Sequence, residues 1–462
     1  MSTRVMRRWT RIAGAVTCSL ALLGCGPERI GVEGESSESS AGESGLDAGT
    51  PDLGESDSDD PDSGDDGWGP SCKGGEGPLS FLDLCPPDDP CELSNCDTCL
   101  GGLCVDPIPA AACEGVTLAE TGVSVPEASH AAWVEVDGLP GDELVGVSTG
   151  VQGRVEVLIE GALVISEVLP DRPSFGFVPM RYDADGLVDL VVDVYVDPND
   201  AGDSLAVVLG DGEGGFAAAP TPVPDLDLRS PVPLDYDLDG AEDLLAWYGG
   251  AGQGVAYRNL GGTFELGFVL PEFSGNSTPA DVDGDGITDV LVGRYPSPDL
   301  LLGDGAGLNL GPALPSPERG PWLEYGIARP LAADLDGDGI VEVIAVIADN
   351  HGRGGLRIWR GLGAGQFEAP RDQMLAQDWL GDGFELAGAA DLDGVAPAEL
   401  VVVLGRELVY VRPDLAGPRP LACMTTLIDD VDDAPPIGDI DADGWPELAI
   451  QSLGRRVYTT LP

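Results

Sequence analysis

The chemistry most plainly written in this chain is carboxylate chemistry. The stretch DVDGDGITDVL places aspartates at Asp281, Asp283, Asp285 and Asp289. Oxygen donors at alternating positions converge on one point when a loop curls, an arrangement suited to a hard cation of calcium size. Glycine at the sixth position, Gly286, permits the bend. The seventh carbonyl can turn inward, and the ninth-position acid closes the cage. Without a cation these carboxylates would crowd and repel, so cation binding would be coupled to folding. The pattern recurs at Asp235, Asp237, Asp239 and Asp243, at Asp334, Asp336, Asp338 and Glu342, and at Asp439, Asp441, Asp443 and Glu447. Two copies are eroded. Arg181 replaces the first acid of one, leaving Asp183, Asp185 and Asp189 as a weaker site. In the other, from Asp391, Val395 and Ala396 replace the fifth acid and the glycine, and no metal is expected there. A seventh stretch, from Glu135, reads one residue off register. The expectation is Ca²⁺ at about four sites, with a fifth in reserve.

The flanking elements exclude one familiar calcium architecture. An EF-hand loop needs a bidentate glutamate at position twelve and helices at both ends. The four full copies carry Ala246, Val292, Ala345 and Ile450 there, and their flanks read as strands. The seven stretches begin 46 to 57 residues apart. A period near 50 with several short strands per unit points to propeller blades. In the fifth unit ARPLAAD would be strand one, EVIAVIA strand two and GLRIWRG strand three. QFEAP would open strand four after the turn LGAG. The last unit supplies three strands, and GVTLAE (Gly115–Glu120) would supply its fourth, closing a ring and removing open sheet edges.

These units resemble FG-GAP or VCBS repeats, the blades of the integrin α-chain propeller, over roughly residues 114–462. The resemblance implies an all-β, seven-bladed β-propeller with calcium in the loops between strands one and two, held by the acids named above. It also implies that the opposite face contributes to partner recognition. Segments expected on that face carry Trp247, Tyr248, Arg294, Tyr295, Trp322, His351, Arg353 and Trp379. Aromatics with arginine are the usual anchors of recognition surfaces.

The first functional expectation is therefore a binding or adhesion module with a protein or glycan ligand. An alternative is a propeller-fold hydrolase or lyase acting on an extracellular polymer. A third is a purely structural envelope protein. His130 reads as a strand residue and His351 as a lone loop histidine, so binding is favoured over catalysis. Nucleic acid is excluded as a partner by a net charge of −58, which leaves no basic patch for phosphates.

The N-terminal region reads as a series of segments preceding the propeller. Arg4, Arg7, Arg8 and Arg11 precede a short apolar run, as in a signal peptide. The ending LLGC resembles the lipobox of bacterial lipoproteins. That resemblance implies removal of residues 1–24 and a lipid anchor at Cys25, with Gly26 after it favouring the outer membrane. Residues 25–71 are Ser-, Gly- and acid-rich and are expected to be a disordered tether. Residues 72–113 hold Cys72, Cys85, Cys91, Cys96, Cys99, Cys104 and Cys113. In an exported chain these are expected to form disulfides. Seven is odd, and pairing of Cys113 with Cys423 would complete the count.

Overall fold

The computed structural model describes residues 98–100, 103–106 and 111–461. Within the last span, short stretches between strands fall outside the description, the longest being residues 317–328. The signal segment, Cys25, the acidic tether and most of the cysteine-rich segment lie outside the described residues.

Every described regular element is a strand. Seven sheets of consecutive antiparallel strands repeat along the chain, and they form a seven-bladed propeller. The second strand of each blade explains why. It reads as an unbroken apolar run such as Leu144-Val145 or Leu400-Val401, and successive side chains of a strand point to opposite faces. A run apolar at every position must therefore be buried on both faces. Leu144 packs toward blade seven and Val145 toward blade two. Leu244 and Leu245 divide between the cores shared with blades two and four. Val343 and Ile344 divide between those shared with blades four and six. Leu448 and Ala449 divide between blades six and one. Seven inter-blade cores result, one per interface, and the ring is complete.

Closure follows the expected three-plus-one arrangement. Thr117–Ser124 pairs with Arg456–Leu461, adding the fourth strand to blade seven. Trp133 Nε1 donates to the carbonyl of Pro436 at 3.1 Å across the seam. A Cβ on Gly438 would lie 2.3 Å from Trp133 Cγ, so the indole occupies space that only glycine leaves. Cys113 and Cys423 are joined by a disulfide with Cα atoms 5.1 Å apart. It ties the segment entering blade seven to the fourth strand of blade six, Leu421–Asp429. His130 lies in a strand, opposite Val147.

Blade five departs from the sequence reading. Gln366–Phe367 pairs back on Gly361–Gly363 as a separate ribbon. The sheet's fourth strand is Arg371–Ala376. Pro370 lies between them, and proline has no N–H to carry the ladder through. A hairpin of Thr98–Leu100 and Leu103–Asp106 then adds parallel to that fourth strand, Val105 opposite Asp372. Nothing in the spacing of these residues signals this extension.

Candidate metal centres and the opposite face

Each acidic loop joins strand one to strand two of its blade. In the four full copies the backbone makes the same bonds. Gly240, Gly286, Gly339 and Gly444 each donate N–H to the first-position carboxylate, at 3.1, 3.0, 3.0 and 2.9 Å. All four have positive φ, between 83° and 90°, so the sharp bend belongs to glycine. The third acid accepts from the fifth residue's N–H, and the fifth acid from the seventh's. In the Asp281 loop these distances are 3.1 and 2.8 Å. Each such bond uses one carboxylate oxygen and leaves lone pairs free. Ligand atoms of Asp235, Asp237 and Asp239 lie within 4.8 Å of one another, as do those of Asp281, Asp283 and Asp285, and of Asp334, Asp336 and Glu342. Asp235 Oδ1 is buried and has no hydrogen-bond partner. A carboxylate oxygen is costly to bury without a partner, so this donor set suits a divalent cation.

The ninth-position acid proves to be a different kind of residue. Asp189, Asp243, Asp289 and Glu342 are fully buried, and Glu399 nearly so. One oxygen accepts from the second residue of its own loop: Tyr182, Tyr236, Val282, Leu335 and Leu392 donate at 3.0, 3.2, 2.8, 2.8 and 2.9 Å. In blades two to five the other oxygen accepts from strand three or just beyond it, from Gly210, Asn259, Gly303 and Gly361 respectively. The acid is thus a clasp joining three strands, whether or not it also reaches a cation. Burial pushes the carboxyls of Asp243, Glu342 and Glu399 up to about 7, although their backbone hydrogen bonds pull the other way. Asp189 and Asp289 shift upward for the same reason. A cation nearby would oppose that shift.

The clasp shows the eroded loops to be relatives of the full ones. Glu135, Asp137 and Glu143 converge, and Val136 N–H donates to Glu143 Oε2 at 2.8 Å. The Glu135 loop is therefore in register at positions one, three and nine, and the sequence reading of a one-residue slip is corrected. Its bend uses Gly141, at position seven, instead of six. Asp391, Asp393 and Glu399 also converge, although this loop lacks the fifth acid and turns through a cis Ala396–Pro397 bond. In the Arg181 loop, Asp185 N–H donates to Asp183 and Leu187 N–H to Asp185, as in the full copies.

On the opposite face the structure separates the predicted residues. Trp247 and Tyr248 end the second strand of blade three. They are half-buried, Trp247 against the core shared with blade four and Tyr248 against that shared with blade two. The Arg229 guanidinium lies 5.9 Å from the Trp247 ring centroid. Arg294 in blade four is exposed and paired with Asp299 at 2.8 Å. Tyr295, Trp322, His351, Arg353 and Trp379 lie outside the described residues.

Sequence comparison agrees with this repeat architecture. The FG-GAP-like repeat family matches residues 235–292 and 281–345, which span the acidic loops of blades three, four and five. Integrin alpha-PS2 of Drosophila melanogaster is 30% identical over 209 residues, covering 37% of this chain and 15% of that much longer protein. Among solved structures, an Agrocybe aegerita lectin, described as recognising non-reducing terminal N-acetylglucosamine, has a TM-score of 0.42 at 14% identity. It is matched over 68% of this chain and 94% of its own. Saccharomyces cerevisiae Sqt1 has a TM-score of 0.45 at 12% identity, over 75% of this chain and 88% of its own.

Proposed function

From the premise that this chain is an FG-GAP-repeat β-propeller with sequence similarity to an integrin α chain, we propose that it is a calcium-stabilised binding or adhesion module tethered to a bacterial cell envelope. The observation that carries the calcium reading is the set of four loops with the same donor frame, one of which buries an unpartnered carboxylate oxygen at Asp235. In this reading Asp235, Asp237 and Asp239 hold one ion, with Asp281, Asp283 and Asp285, Asp334, Asp336 and Asp338, and Asp439, Asp441 and Asp443 holding the others. The ninth-position acids complete the cages while clasping the strands. Asp183, Asp185 and Asp189 form a weaker fifth cage. The ion offsets carboxylate repulsion and fixes the bend between strands one and two.

The ligand, a protein or a glycan, binds on the face away from these loops, where strand two of blade three ends in Trp247 and Tyr248. Arg294 is the further described candidate there, and Tyr295, Trp322, His351, Arg353 and Trp379 are candidates from the sequence, outside the described residues. Lipidation at Cys25 anchors the chain in the outer membrane, and the acidic segment holds the propeller clear of it.

The test is capture by the soluble propeller on arrays of glycans and on envelope proteins, with and without calcium. Capture that is lost in EDTA, and lost on Trp247→Ala at a temperature where that variant remains folded, is the expected result. Capture unaffected by Trp247→Ala together with Arg294→Ala would move the binding site elsewhere.

A further inference from the structure

The seven loops differ in the residue that stands on strand three across the ladder from the ninth-position acid. Carried one residue past its last pair, the register places Arg258 opposite Asp243, Arg360 opposite Glu342 and Arg412 opposite Glu399. In blades one, two, four and seven the same position holds Ile159, Leu209, Leu302 and Thr459. Each arginine turns into its acidic loop. Arg258 Nε lies 2.5 Å from Asp237 Oδ2, and its Nη2 lies 2.9 Å from Asp239 Oδ2. Arg360 Nη2 lies 2.7 Å from Asp336 Oδ2 and 3.7 Å from Asp338 Oδ2. Arg412 Nη2 is paired with Asp393, and its Nε lies 3.8 Å from Glu399 Oε1. Arg412 alone is also fixed from behind. Its Nε and Nη2 donate to Tyr410 Oη at 3.2 and 3.0 Å.

The three arginines do not meet equal loops. Blades three and five keep every acid and the sixth-position glycine, whereas blade six has lost the fifth acid and that glycine. A guanidinium is a permanent cation with donors matched to carboxylate oxygens. Seated among the same carboxylates, it does the electrostatic work of a metal ion and repels one that approaches. We propose that Arg412 has replaced the cation in blade six, and that Arg258 and Arg360 are displaceable counter-ions that weaken cation binding in blades three and five. The strongest sites are then the loops of blades four and seven, where no arginine stands opposite. This rests on the calcium reading above and goes beyond it by ranking the loops.

Calorimetric titration of the full chain with calcium tests the ranking. The expected wild-type isotherm has two classes of site. Arg258→Met with Arg360→Met should move two sites from the weaker class to the stronger, a gain in affinity of about tenfold, and leave the blade two loop in the weaker class. A stronger class that stays at two sites overturns the role of these arginines. Arg412→Met should melt several degrees below the wild type in EDTA and recover that loss in calcium, as the ion enters the Asp391, Asp393 and Glu399 group. A deficit that calcium does not repair makes Arg412 a packing residue and overturns the exchange. In the reverse direction, Thr459→Arg in blade seven should move one site from the stronger class to the weaker, and an isotherm unchanged from the wild type overturns the proposal. A wild-type chain that takes up no calcium overturns the calcium reading itself. That outcome differs from variants that bind calcium as the wild type does.

Discussion

Blades four and six have the same strand order and the same buried ninth-position acid bonded to the second residue of its loop, yet they answer the crowding of their carboxylates differently. Blade four has a full set of acids, Gly286 at the bend, and Leu302 where an arginine could stand. Its loop contains no side-chain cation. Blade six has three converging acids and Arg412 among them. It is also stapled at its fourth strand by Cys423. What both retain is the ninth-position acid, Asp289 in one and Glu399 in the other, because its work is with backbone amides. The comparison separates two functions that a list of aspartates merges: holding a charge and holding the chain.

The largest effect should come from the shared feature. Asp289→Ala strands the amides of Val282 and Gly303 in a buried setting. An unpaired buried amide costs about 1–3 kcal/mol, so a loss of about 3 kcal/mol is expected even in EDTA. Glu399→Ala strands Leu392 N–H and removes a partner of Arg412, and a loss of similar size is expected. Urea unfolding of both variants checks this. A cheap Asp289→Ala in EDTA would reduce the clasp to a metal ligand and erase the distinction.

Removing calcium should instead split the two blades. Chelation is expected to lower the melting temperature by several degrees, since a ligand at 100 times its Kd stabilises by about 2.7 kcal/mol per site. Amide exchange should rise by roughly tenfold or more across Asp281–Asp289 and stay unchanged across Asp391–Glu399. Equal deprotection of both loops would mean that Arg412 does not stand in for an ion.

Much of this was legible in the sequence because it is periodic. The acids at 1, 3, 5 and 9 are local, and so are the apolar runs that must be buried on both faces. Those two signals fixed the blade count, the strand order and the closing strand. The rest depends on neighbours across a ladder. Arg258, Arg360 and Arg412 lie 15, 18 and 13 residues beyond the acids they oppose, and only the hairpin register shows that they turn into the loops. The clasp was missed for the same reason, since the Gly303 amide that bonds Asp289 sits on the far side of a turn. The Glu135 loop read as slipped because its glycine moved, whereas its acids did not. The parallel hairpin on blade five joins segments some 270 residues apart, with nothing periodic to announce it.

Protonation gives a finer test. Asp243, Glu342 and Glu399 have folded-state values raised to about 7 by burial, above the roughly 4 of an unfolded carboxyl. The folded state then binds more protons than the unfolded one across that window. The stability this contributes is full below about 4 and is lost as pH rises toward about 7. A fall in melting temperature over that range is expected in EDTA. Calcium should remove the part due to Asp243 and Glu342, because a cation holds those carboxylates ionised. The part due to Glu399 should persist in calcium. A pH profile flattened completely by calcium would place an ion in blade six as well.

The smallest expected difference lies in the bends themselves. Gly286 has φ of 87°, and nothing lies within 4 Å of a Cβ built on it. Gly286→Ala therefore meets no clash, and its cost is the left-handed backbone alone, about 1–2 kcal/mol for an L-residue. Ala396, at the same place in blade six, is not among the positive-φ residues. Ala396→Gly gains nothing there and loses about 0.5–1 kcal/mol through the freedom it gives the unfolded chain. The two substitutions are each other's reverse, and both should destabilise, by comparable amounts, in urea unfolding in EDTA. A stabilising Ala396→Gly would mean that blade six still strains toward the bend of blade four, with Arg412 laid over a loop that has kept the geometry of a metal site.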